Sequence, residues 1–463
     1  MLKTPPSGAL PKGIWKIAIL LALSPAMSLL EVTMMNIALT DIGAAFDQPL
    51  SLVQWVTTAY LFAMAMVLPI SAWLTDGIGG ARLHRTATLC FVSMSVASSL
   101  APNVEVLIAC RALQGAAAGL LVPLSQLLIA RAAGAHMAKV IGYTAAPVYL
   151  APLAGPVLGA YLVESFDWRA VFLLNVPIGC LTFALSVLFL QRDEHAREWR
   201  PFDVLGFVQI SLGLGMLLLA LNNVAHDTGS AALNGTLISV GLAALAWFVT
   251  RARARPQSAL LDLTLFKLPS FRTSALLLFL ANAAVMGIQF LLPLYFLLVV
   301  KMDVSEAGLM LAPMGLGGML AVPLIGKAIK ILGARGLVCL GSGVAGLSIV
   351  SLAFVTQNPS GWTNMATAAA IFLTGAGLGV ISIPSFSSAY TSVPQSRMTA
   401  AMPSLNIVQR LGGPVATSLV AVVLSRVIPV DKTADLVALF VMASAPVFLM
   451  TLVARFWVDE PSG

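Results

Sequence analysis

Ionisable side chains are scarce in this chain: only 10% of its 463 residues are Asp, Glu, Lys or Arg, against 59% that are hydrophobic. That is too little charge to cover the surface of a water-soluble fold. Cysteine is equally sparse. Cys90, Cys110, Cys180 and Cys339 stand far apart inside apolar runs, which excludes a disulfide framework and leaves them packing roles. The four histidines, His84, His136, His195 and His226, read as loop residues at separate places, so no metal-ligand cluster is expected. No glycine loop followed by lysine could cradle a phosphate. The many Gly-x-x-x-Gly spacings are instead those of helices packing in lipid.

The charges that do occur fall in clusters, and the gaps between them accommodate membrane helices of roughly 17 to 25 residues. Fourteen spans are expected: Ile14–Leu39, Leu52–Thr75, Thr86–Leu100, Val106–Ala130, Val140–Val163, Ala170–Leu190, Val204–Asn223, Leu233–Thr250, Thr273–Val300, Ala307–Gly326, Gly336–Thr356, Asn364–Ala389, Met398–Ser425 and Leu436–Ala454. Gly336 to Ser396 holds no charge at all and is too long for one crossing. The turn chemistry of Gln357-Asn358-Pro359-Ser360-Gly361 divides it. The first apolar run is expected to be retained, because it lacks a convincing small-residue cleavage site and is followed by further spans.

With both ends in the cytoplasm, twenty of the 26 Lys and Arg residues fall on inner segments, and only Arg169, Lys301, Arg426 and Lys432 on outer ones. This bias supports the orientation and the even span number. The net charge of +7 is therefore read as a topological signal, and no nucleic-acid partner is expected. Repetition supports two halves. Gly80-Ala81-Arg82 and Gly155-Pro156-Val157 are echoed by Gly333-Ala334-Arg335 and Gly413-Pro414-Val415, each eight spans later. The expected plan is six plus two plus six, with an N-terminal bundle over 14–191, an inserted pair over 203–250 and a C-terminal bundle over 272–457.

Several strings in this order resemble the major facilitator superfamily, and within it the fourteen-helix drug:proton antiporters. Leu30-Glu31-Val32-Thr33-Met34-Met35-Asn36-Ile37-Ala38-Leu39 is similar to the family's L-D-x-T-x-x-N-x-A-L signature, with Glu31 in place of aspartate. Trp55-Val56-Thr57-Thr58-Ala59-Tyr60 is similar to the start of its second span. Arg111-Ala112-Leu113-Gln114-Gly115 matches R-x-x-Q-G, Gly155-Pro156-Val157-Leu158-Gly159-Ala160 resembles G-P-x-x-G-G, and Trp168 to Pro177 follows W-R-x-x-F-x-x-N-x-P. The loop after the second span departs from the family's G-x-L-x-D-R-x-G-R-R. Asp76 and Gly79 are retained, three basic positions are Gly77, Gly80 and Ala81, and Arg82 and Arg85 stand nearby as replacements. The resemblance implies an all-α polytopic fold, a conformational role for Asp76, Gly79, Arg82, Gly155, Pro156 and Gly159, and a proton-linked role for Arg111.

An acid within a span costs about 2.5 to 3.5 kcal/mol on insertion scales, so Glu31 is a functional candidate on physical grounds. It is expected to bind and release the coupling proton as its surroundings alternate between wet and closed. Pro156 bends its helix, while Gly155 and Gly159 smooth one face for a neighbour. Arg111, near the outer end of its span, either snorkels or takes part in proton-linked rearrangement. Met34, Asn36, Gln54, Tyr60, Gln126, Asn282, Gln289, Tyr295 and Arg410 are candidates for lining a substrate cavity, where methionine adapts to varied shapes. The expected function is proton-coupled export of lipophilic drugs or related molecules by a monomer in the cell (inner) membrane, driven by the proton gradient without a cofactor. Export of one endogenous metabolite is the alternative. A polytopic enzyme is less favoured, since Asp193-Glu194-His195 lies in a solvated charge run.

Overall fold

The computed structural model describes residues 14–133, 140, 151, 154–155, 157–190, 201–225, 229–254, 259–302, 304–355, 361–394, 397–427 and 433–456. Pro156, most of the span expected over Val140–Val163, the Asp193-Glu194-His195 run and the turn residues 357–360 lie outside them, as do His136 and His226. All regular structure in the described residues is helical, as the need to satisfy every backbone group in lipid requires of a chain that does not close a barrel.

The helices are α1 Ile14–Phe46, α2 Leu50–Val53, α3 Trp55–Val67, α4 Ser71–Ile78, α5 Gly80–Ser99, α6 Val104–Ala133, α7 Arg169–Leu173 and α8 Asn175–Phe189. They continue with α9 Val204–Ala225, α10 Ala231–Ala254, α11 Pro269–Leu294, α12 Val304–Val355, α13 Gly361–Thr391, α14 Met398–Val427 and α15 Thr433–Ala454. Residues 157–165 are helical as well. Among the described residues, nine helices are long and apolar enough to cross a membrane, and α3 with α4 forms a tenth, bent pair.

The second expected span is thus not one rod: α3 and α4 meet at 61°. Pro69 sits in the break, where a missing amide donor and the pyrrolidine ring interrupt the helical ladder. Glycine makes two further breaks. Gly79 (φ 90°, ψ 142°) separates α4 from α5, and Gly333 (φ 71°, ψ 169°) breaks α12 into the two spans expected there. That combination of φ and ψ is nearly exclusive to glycine. Gly79 stands one residue before Gly80-Ala81-Arg82, whereas Gly333 is the first residue of Gly333-Ala334-Arg335, so a positive-φ glycine recurs at the repeated string one position out of register.

The third span begins at Gly80, earlier than Thr86, and this corrects two expectations. His84 is not a loop residue; it is fully buried inside α5 with its Nε2 3.0 Å from Ser24 Oγ. Arg85 is not a free replacement charge for the altered loop. It donates to Ser186 O at 2.9 Å and also to Leu190 O, tying α5 to the end of α8, where Ser186 O also accepts the backbone bond from Leu190 N. Cys90 and Cys180 are exposed on their helices, facing outward from the helix packing in which they were expected.

Two compact units emerge: Met1–Ser211 with Gln257–Leu261 and Ser396–Pro403, and Leu212–Pro256 with Asp262–Gln395 and Ser404–Gly463. In the first, Met34, Met35, Ala38, Val56, Trp168 and Phe172 share one apolar cluster, and Met27, Tyr60, Met64, Phe91 and Leu121 share another. In the second, Leu277, Ile288, Phe296, Ile371 and Phe440 belong to a single larger cluster. Within that unit, α9 and α10 approach closely at Gly213 and Gly241, where a Cβ on Gly241 would lie 3.0 Å from Gly213 O.

Candidate functional site

In the first unit, α1 and α6 bring Glu31, Arg111 and Gln114 together with no exposure at all. Arg111 and Gln114 are three residues apart, so they project from one helical face. Arg111 Nη1 forms an ion pair with Glu31 Oε1 and donates to Gln114 Oε1 at 2.8 Å. Its Nε donates to Val56 O on α3 at 3.1 Å. Gln114 Nε2 donates to Glu31 Oε2 at 3.0 Å. Both carboxylate oxygens therefore have donors, as a buried charge requires. The guanidinium lies 4.2 Å from the Tyr60 ring centroid and 5.7 Å from that of Phe172, adding cation–π attraction inside a dry site.

This geometry overturns the snorkelling alternative for Arg111: its side chain turns inward to the carboxylate and not outward to the membrane surface. It also relocates two cavity candidates. Tyr60 is enclosed beneath the guanidinium, with its hydroxyl 2.8 Å from Ser28 Oγ, and Met34 is enclosed in the cluster with Trp168 and Phe172. Tyr295 of the second unit is likewise buried, with its ring centroid 5.4 Å from that of Phe440. Gln54 is exposed, whereas Gln126, Asn282, Gln289 and Arg410 are half-buried. The Asn36 side chain lies outside the described residues. Asp76 is half-buried at the end of α4 and Arg82 is exposed at the start of α5.

The glycines of the G-P element meet the helix that carries Glu31. A Cβ on Gly155 would lie 1.9 Å from Thr33 Oγ1, and one on Gly159 would lie 3.1 Å from Met34 Cα. Their contact points are thus two and three residues beyond the carboxylate. Gly159→Val is expected to insert normally in the membrane but to force this contact apart. Overpacking of that kind costs about 1 to 3 kcal/mol, enough to slow turnover about tenfold. Surface expression and initial export rates check it, and wild-type export would mean that the contact does not matter for transport.

Gly115 of R-x-x-Q-G has the same purpose towards α3, since a Cβ there would sit 2.2 Å from Tyr60 O. The second unit repeats the arrangement: a Cβ on Gly375 of α13 would sit 1.9 Å from Met314 O on α12. The polar side chains are not repeated. Four residues before the glycine stands Arg111 in the first unit and Ile371 in the second, the latter fully buried in the apolar cluster. One residue before it, Gln114 corresponds to Thr374, whose hydroxyl donates to Ala370 O within its own helix.

Glu31 and Arg111 are legible in the motifs as functional candidates, whereas nothing there gives a role to Gln114, Val56, Ser95 or Asn175. Gln114 and Asn175 stand inside quoted motifs and could have been found there. Val56 acts through its backbone, and Ser95 is one serine among several in its span, so neither has a sequence signal.

The sequence profile described as Major Facilitator Superfamily matches residues 21–417. The chain belongs to that superfamily. Relatives include a Multidrug resistance protein B homolog of Mycobacterium tuberculosis, 29% identical over 417 residues that cover 89% of this chain and 76% of the relative. Another is the Multidrug export protein EmrB of Escherichia coli, 27% identical over 402 residues, covering 87% and 78%. The fold is shared with the human organic anion transporter MFSD10, at a TM-score of 0.67 and 14% identity covering 97% and 100% of the two chains. It is also shared with the proton:xylose symporter XylE, at a TM-score of 0.65 and 14% identity covering 95% and 94%. As a member of the Major Facilitator Superfamily, the chain is a multi-pass membrane transporter and not an enzyme.

Proposed function

We propose that the protein is a proton-coupled antiporter that exports lipophilic drugs or related small molecules by alternating access. It works as a monomer in the cell (inner) membrane, with both termini in the cytoplasm and the proton gradient as its energy source, without a cofactor. Fourteen spans are arranged as a bundle over 14–191, an inserted pair over 203–250 and a bundle over 272–457. The observation that carries this reading is the fully buried carboxylate of Glu31, held between Arg111 and Gln114. A transporter that only needed to pack its helices has no use for an ionisable pair there, because apolar side chains of similar volume are often as stable or more so. The absence of that pair from the matching site of the second unit supports a single coupling position.

Protonation of Glu31 from outside cancels the charge that Arg111 faces and weakens the link between α1 and α6. Loss of the proton to the cytoplasm restores it. The proton thereby biases which arrangement of the helices is stable, which is the requirement for coupling. The drug substrate class is supported by the names of the sequence relatives. Purified protein in liposomes tests the proposal directly: a lipophilic dye on one side should drive a proton flux in the opposite direction, scaling with dye concentration. Dye movement with no accompanying proton flux would refute the coupling.

A further inference from the structure

The network around Glu31 does not end at Gln114. Ser95, fully buried on α5, accepts a hydrogen bond from Gln114 Nε2 at 3.2 Å and another from Asn175 Nδ2 at 3.4 Å, and donates its own proton to Phe172 O at 2.9 Å. A hydroxyl has one proton and two lone pairs, so Ser95 is saturated. Two of its three partners, Phe172 in α7 and Asn175 at the start of α8, lie either side of Leu174, whose backbone stays helical (φ −59°, ψ −32°), so α7 and α8 run on as one span over Arg169–Phe189.

The orientation of the Gln114 amide follows from its neighbours. Arg111 offers only donors, so the amide oxygen must face it. The amide nitrogen is then left for the two acceptors, Glu31 Oε2 and Ser95 Oγ. Ser95 thus holds the group that solvates the carboxylate, and the same oxygen is tied to Phe172 and Asn175 on the span formed by α7 and α8.

We propose that Ser95 is a positioning residue for proton coupling: it fixes the Gln114 amide on Glu31 and transmits the carboxylate's charge state to the span formed by α7 and α8. This rests on the reading of Glu31 as the coupling site. When Glu31 is ionised, its pull on one Gln114 N–H orients the other towards Ser95. When Glu31 is neutral, that pull weakens, the amide is freer to turn, and Ser95 loses one of the two donors that fill its lone pairs. The described charged or titratable groups that touch this network are Glu31 and Arg111, together with the Tyr60 ring under the guanidinium. Elsewhere on Ser95's own helix, His84 is engaged by Ser24 and Arg85 by the end of α8.

The test measures uphill dye export against external pH in liposomes for wild type, Ser95→Ala, Ser95→Thr and Glu31→Gln. Ser95→Ala is expected to cut uphill export about tenfold and to move the pH midpoint of export by about one unit, because the Gln114 N–H on Glu31 is no longer held in place. Dye binding should stay within about twofold of wild type, since no contact with substrate is removed. Ser95→Thr, which keeps the hydroxyl, should return the midpoint to its wild-type value. A Ser95→Ala protein whose export falls equally at every pH, with the midpoint unmoved, or a Ser95→Thr protein that shares the shift, overturns the role of Ser95 while leaving Glu31 as the coupling site. If Glu31→Gln still concentrates dye on the proton gradient alone, the coupling reading falls and the inference with it.

Discussion

Glu31→Gln is expected to reach the membrane in normal amounts and to lose uphill export completely, while Glu31→Asp retains part of it. Gln has nearly the shape of glutamic acid and carries no titratable proton, so it imitates the protonated state that the proposed coupling cycle requires the fold to tolerate. Its amide oxygen can still accept from Arg111, but its nitrogen cannot accept the Gln114 N–H that now ends on Glu31 Oε2. The substituted protein can therefore equilibrate substrate down its gradient, but nothing ties that movement to protons. Asp restores the titratable group and the residue usual in the family motif, yet its carboxylate sits about 1.5 Å further back along the side chain. It cannot reach both Arg111 and Gln114 as Glu31 does, and partial export follows. Dye accumulation in vesicles with an imposed pH gradient, compared with dye exchange without one, separates the two activities. Uphill accumulation by Glu31→Gln would show that the coupling proton is carried elsewhere.

Arg111→Met should be the most destabilising of the substitutions, and a second change should repair the fold without repairing transport. Removing one partner of a buried ion pair leaves the other charge without compensation, typically at a cost of about 3 to 5 kcal/mol. Here Arg111 also binds Val56 O and Gln114 Oε1 and lies over the Tyr60 ring, so its loss loosens α1, α3 and α6 at once. Glu31→Leu combined with Arg111→Met removes both charges and refills the space with apolar atoms, much as Ile371 fills the matching position of the second unit. Replacements of this kind are often neutral or stabilising. Thermal unfolding in detergent should therefore show a large loss for Arg111→Met and recovery towards wild type for the double substitution, with uphill export absent from both. A single Arg111→Met protein as stable as wild type would mean that the pair is not the fixed contact seen here. Export by the double substitution would remove the pair from the coupling mechanism.

The sequence by itself determined the solvent, the class and the helices. Scarcity of charge and the length of apolar runs are properties of composition, and the described helices long enough to span lie in those runs because a span in lipid must satisfy its backbone within itself. The acid at position 31 was legible for the same reason: a carboxylate in an apolar run stands out against a background where it is costly. Motif order supplied the superfamily, since short strings recurring on successive spans do not depend on contacts. Tertiary structure alone decided what those residues do to one another. That Arg111 turns inward to Glu31, that Tyr60 and Met34 are enclosed, that His84 lies inside a helix and that Arg85 covers the end of α8 all depend on which helix faces meet. Those faces are set by glycines such as Gly115 and Gly155, where the missing Cβ lets two backbones approach within reach of a hydrogen bond. Ser95 shows the limit most plainly. Its chemistry is that of any serine in an apolar span, and only the meeting of α5, α6 and the span formed by α7 and α8 gives its one hydroxyl three partners, because hydrogen bonding is decided over distances that sequence spacing does not encode.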